Sequence, residues 1–333
     1  MADITGTPSK ERSALSSIWD MVRRINPIYP VFLVLFIAVG LLNPNFLEVN
    51  GVLTFLRRAA PLAILTAGQL FVIVSGGFDL SQGSMVSFVV IGGALLIDND
   101  PANAYKAIGI LLLIGVLVGL INGFVVAYLK VPSLIATLGT LLILRGASLY
   151  WTGGAPRGYL TDNFRMYGRG FIENVPIIGR FPYAVIVLVV MGFIAWYVFH
   201  HTNLGREILA IGDNPLAARL SGVKVRNVRI IAFVFSAVFA VVAGILVGGF
   251  GGVAIDTGEG LELQAISAAV LGGAVLLGGR GSVIAAIFGA LTLEALFNLL
   301  NLLGLPKPVR DAVQGLIIIG AVAYAAIGTR KDK

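Results

Sequence analysis

The chain has 333 residues, of which 57% are hydrophobic and 12% charged. Soluble domains carry about a quarter charged residues, so this composition excludes a water-soluble protein and points to one helical bundle in a bilayer. There are no cysteines and two histidines, which excludes disulfides and thiolate metal sites. The net charge of +7 gathers at the ends of apolar runs, the pattern of membrane orientation rather than of nucleic-acid binding.

Residues 1–26 are polar and of mixed charge, with no small-residue cleavage site behind a short apolar core. They read as a cytoplasmic tail with a surface helix around residues 17–24. A helix needs roughly 20 apolar residues to cross the hydrocarbon core. Charge-free runs occur at 27–47, 59–78, 80–97, 107–129, 181–199, 230–255, 263–279 and 312–329. Two more, 131–156 and 281–306, are each interrupted by one charge, Arg145 and Glu294.

These runs predict an all-α, polytopic membrane protein of about ten transmembrane helices. An even count puts both termini on one side. The basic tail, the loop 200–229 (Arg206, Arg219, Lys224, Arg226, Arg229) and the tail 330–333 make that side the cytoplasm. The acidic loop 256–262 falls outside, while Arg57, Arg58 and the arginines of loop 152–180 run against the bias. The organisation expected is a single transmembrane domain over 27–329, with a long inner loop at 200–229.

Several irregular points interrupt the apolar pattern. Between the second and third runs stands Gly76-Gly77-Phe78-Asp79-Leu80-Ser81-Gln82-Gly83-Ser84. Two glycines can end one helix, and Asp79 or Ser81 can cap the next. Little chain remains for a water-exposed loop, so the break is expected at or just within the membrane boundary. It is either a tight capped turn or part of a translocation path. A similar break, Leu276–Ser282, joins the eighth and ninth runs and hints at an internal repeat.

Glu294, Asn298 and Asn301 share one helical face. Counted from Ser282 at about 1.5 Å per residue, Glu294 stands about 18 Å along its helix, near mid-membrane. Gln69 and Asn122 also fall inside spans. Such groups serve a pathway or hold helices together. Gly115, Gly119 and Gly123 recur every four residues and predict close helix packing. Arg145, near the outer end of its span, is placed to snorkel. In the loop 200–229, Pro215 at a helix start and Gly222 at its end predict a short helix outside the membrane, either a docking element for a cytoplasmic partner or a solvated connector. His200 and His201 end a span and are poorly spaced for a metal.

No G-x-x-x-x-G-K-[ST], H-E-x-x-H or G-x-S-x-G occurs, so the chain shows no nucleotide-phosphate loop and no enzyme signature.

Three stretches carry a family resemblance. Gly76–Ser84 resembles the G-[GL]-[IF]-D-L-S-x-G-S signature of the permeases of ribose-, xylose- and galactose-type ABC importers, with Phe78 where isoleucine is more usual. Ala210-Ile211-Gly212-Asp213-Asn214-Pro215, followed by Ala217-Ala218-Arg219-Leu220-Ser221-Gly222, resembles that family's cytoplasmic coupling loop. Leu276–Ser282 resembles its late glycine-rich turn.

The resemblance implies a non-enzymatic subunit that moves a monosaccharide across the bacterial inner membrane. It binds no cofactor or metal itself. ATP is used by a separate cytoplasmic ATP-binding subunit, often one with two fused nucleotide-binding domains. A periplasmic sugar-binding protein delivers substrate, and a second permease copy, identical or related, completes the pore. Gln69, Asp79, Ser81, Asn122, Glu294 and Asn298 are candidates for the translocation pathway, and Asp213, Asn214, Pro215, Ala217, Ala218, Arg219, Ser221 and Gly222 for ATPase coupling. The rival readings are a permease for branched-chain amino acids, nucleosides or a signalling sugar, and an ion-coupled secondary transporter, for which broken helices and mid-membrane acids also speak.

Overall fold

A computed structural model describes residues 26–320 except 177, 307, 311, 314 and 318. The helix expected at 17–24, both expected tails and the end of the tenth apolar run lie outside the described residues.

The helices in chain order are α1 (Ile28–Leu42), α2 (Val49–Val74), α3 (Gln82–Ile97), α4 (Ala104–Ala127), α5 (Ser133–Thr152), α6 (Asp162–Arg169), α7 (Tyr183–His201), α8 (Asn203–Asp213), α9 (Pro215–Leu220), α10 (Val225–Gly251), α11 (Leu261–Leu271) and α12 (Val283–Leu302). Nine of the ten apolar runs coincide with one helix each. Among the described residues six helices, α2, α4, α5, α7, α10 and α12, are long and apolar enough to cross a membrane, α4 together with the 3-10 turn before it. The other three, α1, α3 and α11, have 15, 16 and 11 residues, and end at Asn43-Pro44, at the left-handed Asp98 and at Gly272-Gly273 respectively.

Burial sorts the helices into an axis and a wall. The apolar window of α2 is 89% buried and that of α5 only 17%, so α2 is the axis and α5 faces outward. α10 packs against α2, α3 and α4. The glycine stripe explains how α4 comes so close: a Cβ at Gly119 or Gly123 would stand 2.6 Å from the Cα of Val234 or Ile230 on α10. Without side chains there, backbone meets backbone and gains dispersion contacts along the whole seam. Peripheral faces remain apolar, with Leu117, Ile121, Ile143, Val189 and Phe193 exposed. In a bilayer these positions meet lipid or another subunit.

The all-α expectation needs one correction. The connection read as a loop at 152–180 folds into α6 and an antiparallel hairpin, β1 (Phe171–Val175) with β2 (Gly179–Pro182), Phe171 opposite Pro182. Turn geometry creates the hairpin: Asn174 and Gly179 take the left-handed region, at φ 59° and 77°. Strands of five and four residues are too short to leave a periodic signal in the sequence.

Candidate functional site

The break after α2 does not leave the bundle. Gly76 turns at φ 85°, and the chain then runs back between helices before α3 begins. Its depth follows from its partners. Ser236 lies eleven residues into the 27-residue α10, about 16 Å from its start at about 1.5 Å per residue. The Ser236 hydroxyl donates to Asp79 Oδ2 at 2.6 Å, so Asp79 sits near the middle of the bundle. The break therefore reaches the level of the middle of α10.

Around the fully buried Asp79 a polar network closes. Asp79 Oδ1 accepts from the Ser81 hydroxyl at 2.5 Å and the Ser81 N–H at 2.9 Å. Gln82 Nε2 donates to Ser236 Oγ at 3.0 Å and to the Leu65 carbonyl at 3.2 Å. Asn122 Nδ2 donates to Ser81 Oγ at 3.1 Å, and the Thr140 hydroxyl donates to Asn122 Oδ1 at 2.5 Å. The Gln69 amide, oriented to satisfy both its ends, pairs with the Asp79 backbone, donating to the carbonyl at 3.3 Å and accepting from the N–H at 3.1 Å. Ser133 Oγ and Thr137 Oγ1 take the Phe78 and Leu80 N–H groups, each at 3.0 Å.

This arrangement satisfies irregular backbone at membrane depth, which would otherwise lose several kcal/mol per orphaned group. It also ties α2, α3, α4, α5 and α10 to one carboxyl group. Of the candidate pathway residues it joins Gln69, Asp79, Ser81 and Asn122.

Glu294 and Asn298 are elsewhere. They line a cavity of 480 Å³ with Arg58, Asn43, Asn45 and Glu48, where the α1–α2 connection meets α12. Asn301 is exposed and accepts from Arg310 Nη1 at 3.4 Å. Arg145 stands at an exposed position 3.8 Å from Glu259.

A narrow cavity of 80 Å³ lies at the start of α3, lined by Ser84, Ser87, Arg145, Asp256, Glu259 and Glu262. Here the N-terminal ends of α3 and α11 meet. Gly83 packs against the Glu262 carboxylate and the Gly258 carbonyl, with no room for a Cβ. Ser87 Oγ accepts from the Gly258 N–H at 2.9 Å, and Glu262 Oε2 is buried without a hydrogen-bond partner. The N-terminal ends of the two helices, the hydroxyls of Ser84 and Ser87 and the unpartnered Glu262 oxygen make this gap polar.

The loop 200–229 forms α8 and α9. Asn214 Oδ1 caps α9 by accepting from Leu216 and Ala217 N–H at 3.0 Å each. Pro215 takes the first helical position, and Gly222 follows at φ 89°. Asp213 ends α8, Ala218 is the buried residue of α9, and Arg219 lies in its last turn. The loop carries more helix than expected, since α8 occupies what read as connector.

α8 also touches the broken spans directly. Gly212 packs against the Val74 carbonyl at the end of α2 and against the backbone of Gly279 in the turn after α11. Gly279 N–H donates to the Val74 carbonyl at 3.0 Å. Two separately quoted stretches, 210–222 and 276–282, thus meet the end of α2 at one all-backbone junction. Among the described residues no group of His, Asp and Glu is spaced to hold a metal.

The chain matches the family model described as branched-chain amino acid transport system / permease component over residues 51–322. It belongs to this permease family. Among its relatives, the ribose import permease protein RbsC of Escherichia coli K12 is 36% identical over 299 residues, covering 87% of this chain and 90% of the relative. That of Bacillus subtilis 168 is 36% identical over 311 residues, covering 91% and 92%. The autoinducer 2 import system permease protein LsrC of Escherichia coli O157:H7 is 34% identical over 303 residues, covering 91% and 86%. No solved structure matches the chain. The permease is a multi-pass protein of the bacterial inner membrane, a transport subunit built on spans that wrap around α2.

Sequence reasoning missed the groups that complete the permease's network: Gln82, Ser133, Thr137, Thr140 and Ser236. Gln82 stood inside a quoted motif and Ser236 inside an apolar run. Hydroxyls inside helices commonly bond their own preceding turn, as Thr137 does with the Ser133 carbonyl at 2.8 Å, so the sequence held no signal separating them.

Proposed function

We propose that this chain is the membrane-spanning permease subunit of an ABC importer for a monosaccharide. The observation that carries this is the end-to-end similarity to two ribose import permeases, near nine tenths of each chain. In this reading ten helices cross the membrane with both termini in the cytoplasm. A second permease copy completes the pore, and a periplasmic binding protein delivers the sugar. A cytoplasmic subunit with two fused nucleotide-binding domains hydrolyses the ATP.

The geometry suits that division of labour. A sugar delivered by a binding protein needs a path of neutral hydrogen-bonding groups rather than a deep charged pocket. Asp79, Gln69, Ser81 and Asn122 are positioning residues that hold α3 at its depth. Residues 213–222 form the docking element. When the ATPase domains close, displacement of α8 and α9 passes through Gly212 to Val74 and Gly279, and so to the ends of α2 and α11. Backbone contacts transmit such displacement with little slack, because no flexible side chain stands between them.

The test is reconstitution in proteoliposomes with and without a cognate ATPase and binding protein. Ribose uptake should require both and ATP. Uptake by the chain alone, driven by a proton or sodium gradient, would sink the proposal. Replacing residues 213–219 by a glycine-serine linker should leave insertion intact and abolish co-purification with the ATPase, and retained association would refute docking there.

A further inference from the structure

The largest cavity among those described, of 800 Å³, lies beside the loop 200–229 and takes Pro215, Leu216 and Arg219 from the proposed docking element. Five cations line it: Lys130 from the α4–α5 turn, Arg219 from α9, and Lys224, Arg226 and Arg229 at the start of α10. No carboxylate lines it. The ion pairs among the described residues, Arg145–Glu259, Arg169–Asp162 and Arg180–Glu173, involve none of the five. Five like charges converging on one cleft without internal neutralisation call for an anion from outside. Lys130 is held at φ 58°, a conformation rarely adopted by a residue with a side chain and kept only where surroundings impose it.

We infer that this cleft binds the phosphate group of an anionic phospholipid. Phosphate fits the donor set, since guanidinium and ammonium groups from three segments can surround its oxygens. The lipid source follows from what adjoins the cations. Arg226 lies 5.0 Å above the ring of Tyr128, and Tyr128 stacks on Phe124 at 5.2 Å. Both rings are exposed, and the exposed face of α4 continues through Leu120, Ile121 and Leu117. An apolar track of that kind gives acyl chains a surface directly beneath the basic cleft. Basic pockets between spans at the cytoplasmic face, next to an interfacial aromatic, are where headgroups of anionic lipids dock.

Gly76, Gly77 and Pro215 also line the cleft, so a bound headgroup would brace α9 against the break. The inference rests on the proposed orientation only for which leaflet supplies the lipid. Binding itself is independent of transport.

The experiment uses the full chain, delipidated in detergent. Its unfolding midpoint is measured with phosphatidylglycerol, phosphatidylcholine or inorganic phosphate, and lipid adducts are counted by native mass spectrometry. Phosphatidylglycerol should raise the midpoint and bind at least fivefold more tightly than phosphatidylcholine. The exposed-site variant Lys130→Gln/Lys224→Gln/Arg226→Gln should lose that preference, while Arg157→Gln/Arg180→Gln keeps it. If the triple variant does not fold, Lys224→Gln alone should weaken phosphatidylglycerol binding about twofold or more. Equal binding of the two lipids, or an unchanged preference in the folded variants, would overturn the site. Full stabilisation by millimolar phosphate without lipid would overturn the lipid as its source.

Discussion

Replacing Gly212 by alanine tests whether the loop 200–229 is joined to the broken spans through backbone contact. Inside an isolated helix, glycine to alanine stabilises by about 1 kcal/mol. At Gly212 the added methyl would lie against the Val74 carbonyl and Gly279, with Gly279 Cα 2.9 Å away. None of these atoms can rotate aside as a side-chain tip would. Overpacking of this kind costs about 1–3 kcal/mol. Displacing Gly279 also endangers the bond from its N–H to Val74 at 3.0 Å, worth about 1 kcal/mol. After subtracting the helix-propensity gain, the net effect is a loss of about 1–3 kcal/mol.

Gly109 supplies the control, because it is also helical and has nothing within 4 Å of a built Cβ. Thermal unfolding in detergent should show Gly212→Ala below wild type and Gly109→Ala at or above it. ATP-driven uptake per folded molecule should fall only for Gly212→Ala. A Gly212→Ala protein as stable and as active as wild type would refute the junction.

Further predictions concern the network, α9 and the Arg145–Glu259 pair. Asp79→Ala leaves the Ser236 and Ser81 donors unpartnered, at about 1–3 kcal/mol for each orphaned group. It should therefore unfold at markedly lower temperature than Ser236→Ala, and similar midpoints would mean the carboxyl is not the hub. Asn214→Ala removes the acceptor for two N–H groups at the start of α9. A cost of about 1 kcal/mol in a six-residue helix should fray it, read as faster amide exchange at residues 216–218 and weaker ATPase association. Arg145 and Glu259 form an exposed pair 3.8 Å apart, worth about 0–1 kcal/mol. Arg145→Lys should accordingly alter uptake less than Asp79→Ala or Glu294→Ala, and equal mild effects across the three would refute Asp79 as the group that positions α3 and Glu294 as a pathway group.

By itself the sequence determined the class of molecule and most of its helices. Apolar runs of the right length can only be buried in a bilayer as helices, because each backbone group must find its partner within its own segment. Proline and glycine at 215 and 222 delimited α9 for the same local reason. The glycine stripe on α4 predicted a close neighbour, since small residues at a four-residue spacing expose backbone along one face. It could not say that the neighbour was α10.

Tertiary structure decided everything that depends on which segments meet. Asp79 and Ser236 are 157 positions apart in sequence yet 2.6 Å apart in space, and no local pattern links them. Glu294 and Asp79 looked alike as acids in apolar surroundings, yet one sits at the hub of a hydrogen-bond network and the other in a separate cavity with Arg58. The convergence of Val74, Gly212 and Gly279 is the clearest case. Each glycine carries a local meaning of flexibility, and only the assembled fold turns that into a contact, because closeness of approach belongs to a pair of segments and to neither alone.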